Sequence, residues 1–337
     1  MWNHILRSAL NLPGASLLPH LCRYEPLKTP VRKFIFPRFH GGETIEDLKK
    51  TVGHPRYNKL RIIADYVREH ETRGEEYELR NVEKIVEVID SVAHPGSKIS
   101  MVSVKPSSII NPVNLQYPDA KTTETLLSRL VRITERAAAT QTKVLIDAEE
   151  YMYNGLVYKV SDFLQPMFNT NYGEDCVIYI TIQSYFKNSP EILRMHLDRA
   201  IRNNYQLGVK IVRGAYMDHE RRVGNHLLCD SIEHTHYNYD QMIQIAMEHL
   251  PNISLIAATH NRQSIDLITN HMLEHNIYKD DPSITFAQLF GVGDHLTRFL
   301  SSSGYNTAKY VPFGPYEDTI PYLFRRMNEN EDIIRKI

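Results

Sequence analysis

From Leu60 onward the chain alternates between two hydrophobic rhythms. Short apolar or β-branched runs recur at Leu60–Tyr66, Ile99–Lys105, Lys143–Asp147, Val177–Gln183, Gly208–Arg213, Ile253–Thr259, Ser283–Leu289 and Asn306–Val311. Each has the composition of a strand. Between them lie longer segments with helical spacing, among them Val82–Ala93, Glu124–Thr140, Pro190–Asn204, Asn238–Leu250 and Arg262–His275. Roughly eight strand–helix units in this length predict an α/β protein with a TIM-like (βα)8 barrel. The weakest unit is Cys229–Asn252, a long excursion rich in His and Tyr.

The ends of the chain follow other patterns. Gly41–Gly42–Glu43–Thr44 introduces a helix over Ile45–Val52, with Thr44 as its N-cap. Residues 1–56 therefore read as a short helical flank and 57–337 as the barrel. No acidic residue precedes Glu25, while Arg7 and Arg23 do, and Ile5, Leu6, Ala9 and Leu10 form an apolar stripe. This is compatible with a mitochondrial targeting segment and equally with an amphipathic helix packed on the domain. At the other end, Asn306–Val311 is expected to be broken by Pro312, Gly314 and Pro315, and a helix follows. That helix places Tyr322, Arg325, Arg326 and Glu329 on one face. Adjacent guanidiniums suit bidentate capture of a carboxylate or phosphate. The alternative is a solvated basic pair near a helix C-terminus.

Composition narrows the function classes. With 337 residues the chain can bury a large core, and a net charge of -1 excludes a strongly basic nucleic-acid footprint. Apolar and charged fractions of 42% and 23% are those of an ordinary globular protein. No apolar run approaches the roughly 18 residues that span a bilayer. Cys22, Cys176 and Cys229 lie far apart with no CxxC, which points to a reducing compartment and no structural zinc.

A barrel makes its own prediction, because its chemistry sits at the C-terminal ends of the strands. Polar residues cluster there: Asp65 and Glu69, Lys105, Asp147 and Glu149, Gln183, Lys210 and Arg213, His260 and Asn261, Gln288, and Tyr310. Singly, each reads as a turn residue; as a ring they read as a site. Lys105, Lys210, Arg213, Arg325 and Arg326 outnumber Asp147, Glu149 and Glu69. Such a pocket suits an anionic cofactor and a small carboxylate. Tyr216, Leu289, Tyr310 and Tyr322 supply apolar walls. No HxH or HExxH lies at a strand end, and the His234–Thr235–His236 triplet sits in the excursion, so a metal site is not expected. Lys105 as a Schiff-base lysine remains an alternative. The Gly291–Asp294 stretch GVGD lacks dinucleotide-fingerprint spacing.

Longer motifs carry a resemblance. LGVKIVRGAYMDHER (Leu207–Arg221), ATHN (Ala258–Asn261), FAQLFGVGD (Phe286–Asp294), YVPFGP (Tyr310–Pro315) and PYLFRRMNEN (Pro321–Asn330) resemble proline dehydrogenases, nearest to the eukaryotic mitochondrial type. DYVRE (Asp65–Glu69), SVKPSSI (Ser103–Ile109), IDAEE (Ile146–Glu150) and IQSYFK (Ile182–Lys187) match in the same order. The resemblance spans Tyr24 to the C-terminus. It implies a distorted (βα)8 barrel that holds FAD and oxidises L-proline to 1-pyrroline-5-carboxylate, the first step of proline catabolism, by hydride transfer from C5 to flavin N5. It further implies transfer of electrons to a quinone and peripheral contact with the mitochondrial inner membrane. By the same likeness Lys105, Arg325 and Arg326 hold the proline carboxylate, and Tyr216, Leu289, Tyr310 and Tyr322 enclose its ring. Glu69 pairs with Arg326. Ala148, Gln183, Lys210, Arg213, Gly214, Ala215, Thr259 and His260 match flavin contacts. Asp147 and Lys210 match residues with catalytic roles beside the flavin. Bacterial members often carry Arg-x-x-Lys where this chain has Lys210 and Arg213. The basic, aromatic segment Arg23–Arg38, with Lys28, Arg32 and Lys33, is the stretch best suited to a lipid surface. The stronger alternative is an ordinary flank packed on the barrel.

Overall fold

The computed structural model describes residues 22, 24–25, 28–67, 74–94, 96–170 and 176–329, without the side chains of 321 and 324–329. Its centre is a closed barrel of eight parallel strands in chain order. They are β1 (Arg61–Tyr66), β2 (Ile99–Val104), β3 (Lys143–Ile146), β4 (Ile178–Gln183), β5 (Leu207–Val212), β6 (Ile253–Ala258), β7 (Ile284–Leu289) and β8 (Thr307–Phe313). The helices that alternate with them are α1 (Ile45–Val52), α2 (Glu75–Val92), α3 (Ala120–Ala139), α4 (Tyr151–Phe168), α5 (Ser189–Arg202), α6 (Ile232–Glu248), α7 (Arg262–Glu274), α8 (Asp294–Ser302) and α9 (Tyr316–Glu329). The predicted (βα)8 architecture is present.

Local chemistry explains the helix starts. Thr44 accepts from the Asp47 backbone N–H at 3.1 Å, and Asp47 accepts from the Thr44 N–H at 3.1 Å, so the expected cap is a full capping box. α3 begins four residues before the predicted Glu124, because Asp119 accepts from the Thr122 N–H at 2.7 Å. α2 begins at Glu75 rather than Val82, with three glutamates where the helix dipole favours anions. The excursion before β6 becomes a regular helix, α6, capped by Ser231.

β8 corrects one expectation: it runs through Pro312 to Phe313, where the sequence predicts a break. The Tyr310 carbonyl faces β7, accepting from the Phe290 N–H at 2.9 Å, and Pro312 has the same parity. By Pro312, β7 has ended, so the missing N–H breaks no ladder bond. The Pro312 carbonyl instead accepts from the Gly41 N–H at 2.8 Å.

That contact ties the flank to the barrel. Leu48 of α1 and Val311 of β8 meet over Gly41, where an added Cβ would lie 2.6 and 2.7 Å from them. Ile45, Leu48 and Val52 share a core with Ile62, Val311 and Phe313, so α1 covers the β8–β1 seam. α9 packs elsewhere. Its Tyr316, Ile320, Tyr322 and Leu323 bury against Val31, Ile35 and Phe36 of the flank and against Val67, just past β1. Lys28 pairs with Glu317 at 2.8 Å. Arg32 pairs with Glu43 and lies 5.6 Å from the Tyr316 ring centre. The segment considered for a lipid surface thus uses two of its cations and its buried apolar residues to hold α9 against the barrel end. Arg23 and residues 1–20 lie outside the described residues. No described helix is long and apolar enough to cross a membrane.

Candidate active site at the carboxyl-terminal rim

Strand parity builds the site. In the lower barrel, Ile63, Met101, Leu145, Tyr179, Ile256, Ala287 and Ala308 form an apolar layer. Two residues further along β1, β8 and the ends of β2 and β3, the inward positions change to Asp65, Tyr310, Ser103 with Lys105, and Asp147. Lys210 enters from β5. All are buried: Asp65 is 0% exposed, Lys105 and Lys210 4%, Asp147 8% and Tyr310 9%.

These groups form an alternating charge chain. Lys105 pairs with Asp65 and lies 3.6 Å from Asp147, which pairs with Lys210. Tyr310 donates to Asp147 at 2.7 Å and reaches Ser103 at 3.3 Å. Burial alone would raise the Asp147 pKa, but the charges of Lys210 and Lys105 outweigh it and hold the carboxyl well below the usual range. Burial first, and then the Asp147 and Asp65 charges, push Tyr310 well above its ordinary value. Asp147 is therefore an anion and Tyr310 a donor across the neutral pH range. Asp65 belongs to the expected ring of polar strand ends, though without an assigned role; Ser103 does not, and its parity with Met101 was the available signal.

α9 leans over this chain, with the Tyr322 ring centre 5.6 Å from Lys105 Nζ. Arg325 and Arg326 follow on that helix three and four residues later, but their side chains lie outside the described atoms, as does Glu69 entirely. The expected excess of positive charge is absent among the described interior groups, where Asp65 and Asp147 balance Lys105 and Lys210. Any excess rests on the two arginines.

The remaining predicted residues group around the same rim. Glu149 accepts from the Ser107 N–H at 2.8 Å and from Ser107 Oγ at 2.6 Å, and Tyr216 OH lies 3.5 Å away. Gln183 donates to the carbonyls of Glu149 at 2.9 Å and Ala148 at 3.4 Å. Gly214 has φ +118, and a Cβ there would lie 1.8 Å from Tyr185, so only glycine lets β5 turn toward Ala215.

Arg213 does not join Lys210. Its fork is bound by Thr259 at 2.6 Å, Ser264 at 3.0 Å and His236 Nδ1 at 2.8 Å, and it stacks 4.2 Å from the Tyr239 ring centre. His236, set aside with the His-rich excursion, is thus a rim residue, brought there by the β5–α6 connection and invisible in local spacing. Just past β6, His260 Nε2 accepts from the Leu289 N–H of β7 at 3.0 Å. Among the described residues no group of three or more His, Cys, Asp or Glu is arranged to hold a metal ion.

Comparison with known proteins places the chain in a family. The Proline dehydrogenase family model matches residues 48–336. The chain is 28% identical over 304 residues to the carbapenem antibiotics biosynthesis protein CarD of Pectobacterium carotovorum subsp. carotovorum, covering 87% of this chain and 78% of that protein. It is 33% identical over 231 residues to the mitochondrial proline dehydrogenase 2 of Arabidopsis thaliana, covering 66% of this chain and 48% of the relative. The chain thus spans about half the length of the plant enzyme. The crystal structure of proline utilization A from Bdellovibrio bacteriovorus superimposes with a TM-score of 0.81 at 21% identity, over 95% of this chain and 35% of that one. That likeness speaks for the fold. Bacterial and plant mitochondrial proteins both match, so the expected eukaryotic type is only partly supported. With its family motifs lying along one rim of a closed barrel, the chain belongs to the proline dehydrogenase family.

Proposed function

We propose that this protein oxidises L-proline to 1-pyrroline-5-carboxylate with FAD as its cofactor. The observation that carries the reading is the buried chain Asp65–Lys105–Asp147–Lys210, with Tyr310 across it, at the positions of the family motifs. The residues present suit FAD. Lys210 offers a cation inside the barrel, Arg213 a second at the rim, and Gly214 and Ala215 add little side-chain bulk beside Arg213. When bound, FAD would supply the two-electron acceptance, taking hydride from proline C5 at its N5.

The protein's own groups bind and orient. Lys105, with Arg325 and Arg326, would hold the carboxylate, and fixing it at several points pre-organises C5. Tyr216, Leu289, Tyr310 and Tyr322 would wall the pyrrolidine ring. Lys210 would stabilise negative charge as it develops inside the barrel. Asp147, strongly ionised, is a poor proton acceptor. Its role in this reading is to hold Lys210 and Tyr310 in place, while the amine proton leaves to solvent. Lys105 is held between two carboxylates, Asp65 and Asp147, an ion-pair setting that suits carboxylate capture rather than Schiff-base chemistry. Ala148, Gln183, Thr259 and His260 would contact the flavin, and Glu69 would orient Arg326. A mitochondrial location fits the names of the plant, Dictyostelium discoideum and Drosophila melanogaster relatives, and reoxidation by a quinone extends the same reading. Peripheral contact with the inner membrane belongs to the same reading.

The test is the visible spectrum of the purified protein before and after L-proline under anaerobic conditions. Bleaching of the flavin bands, restored by a soluble quinone, is expected. A colourless protein that gains no flavin on reconstitution would overturn the proposal, as would bands that L-proline leaves unchanged.

A further inference from the structure

Lys309 is among the most buried cations of the described chain, 1% exposed, and the site described above does not use it. It sits on β8 beside Tyr310 but on the opposite face. Burial pushes its pKa down, while Asp294 pulls the other way. Its ammonium has three donors and meets three acceptors: the Leu289 carbonyl at 3.0 Å, the Val292 carbonyl at 2.8 Å and Asp294 Oδ1 at 2.7 Å. One side chain thus ties together the end of β7, the following turn and the first residue of α8.

The turn it holds is close-packed and depends on two glycines with positive φ. Gly291 has φ +75, and a Cβ there would lie 2.0 Å from the Arg38 carbonyl oxygen. Gly293 has φ +64, and its Cβ would lie 2.9 Å from His260 Cδ2. Gly293 therefore lies close against the His260 ring, and the turn bonds that ring at another point, where the Leu289 N–H donates to Nε2. Leu289 offers its N–H to His260 and its carbonyl to Lys309. An Nε2 that accepts a backbone N–H carries no proton, so the neutral ring must carry its proton on Nδ1.

We propose that Lys309 is a positioning residue, acting through the β7–α8 turn to hold His260 as its Nδ1–H tautomer and so to present a hydrogen-bond donor at the rim. The functional consequence rests on the flavin reading above; the tautomer does not. If His260 touches the flavin, loss of the clamp weakens flavin binding without removing any contacting group. Partners that orient a metal-ligating histidine change affinity roughly ten- to a hundredfold, and the lower end of that scale is expected for a flavin contact.

Two variants test this. Lys309→Met removes all three bonds. Lys309→Arg keeps the charge, but its planar fork cannot place one nitrogen among three acceptors. Nitrogen-15 NMR of histidine-labelled, flavin-free protein reads the tautomer directly, with His260 assigned by difference against His260→Gln. The expected result is a clear Nδ1–H signature in the parent and its loss or averaging in Lys309→Met. FAD titration should show at least about tenfold weaker binding. Lys309→Arg should fall between, and it carries the test if the methionine variant does not fold. An unchanged His260 signature in a folded variant, with a lowered Tm only, would overturn the proposal and leave Lys309 as a stabilising clamp. A parent that binds no FAD would overturn the functional reading, while the tautomer measurement would still decide the role of Lys309.

Discussion

Asp147→Asn isolates the hub of the charge chain. The substitution keeps the volume and deletes one charge, so no cavity term enters. Lost are the pairing with Lys210, the approach of Lys105 at 3.6 Å and the charged acceptor for Tyr310 at 2.7 Å. Two unit charges about 4 Å apart at an effective dielectric constant near 20 interact by about 4 kcal/mol. Removing one partner of a buried pair costs about 3–5 kcal/mol in measured cases. Lys105 keeps Asp65, so the loss falls on Lys210, and about 3 kcal/mol is expected. The pH dependence has a definite sign. Asp147 binds its proton less readily in the folded chain than in the unfolded one. Its contribution is therefore complete above the unfolded carboxyl value, about 3.9, and is lost as pH falls below it. From about pH 5 to 8 the gap between parent and variant should be flat. Urea denaturation of the flavin-free proteins, followed by far-UV circular dichroism, measures it. A difference under about 1 kcal/mol, or a gap that narrows steadily from pH 8 to 5, would refute the hub.

Two further outcomes follow from other parts of the molecule. Arg325→Met and Arg326→Met should each raise KM for L-proline by an amount equivalent to about 2–5 kcal/mol while flavin content stays at the parent level; steady-state kinetics with flavin quantification decides, and a parental KM in either variant removes that arginine from the carboxylate clamp. His196 of α5 has its pKa lowered to about 4 by burial, even with Asp162 of α4 at 3.1 Å, a carboxylate that also pairs with Arg199. Its neutral form stabilises the fold above about pH 6.5, and that stability fades as pH falls toward 4, by up to about 3 kcal/mol. His196→Gln should flatten this part of the acid slope in denaturation midpoints taken between those values.

Much of this protein is determined by short-range pattern. Eight apolar runs locate eight strands, with edges off by a residue or so, because burial on the barrel depends on the residues of the run itself. The Thr44 cap needs only Asp47, three residues on, and it formed as expected. The C-terminal ends of the strands mark the rim, since turns demand polar residues there whatever the function. The tertiary structure alone decided which of those residues meet. Asp65 finds Lys105 across 40 positions and Tyr310 finds Asp147 across 163, and both depend on how the barrel closes and staggers. Arg213, beside Lys210 in the sequence, turns away to His236 because adjacent strand positions and the turn that follows point differently. Pro312 reads as a strand breaker until the end of β7 removes the partner its N–H would have needed. α1, far from β8 in sequence, covers the seam that frees α9 to lean over the rim. Periodicity is a property of neighbours along the chain, whereas closure, stagger and seam are properties of neighbours in space.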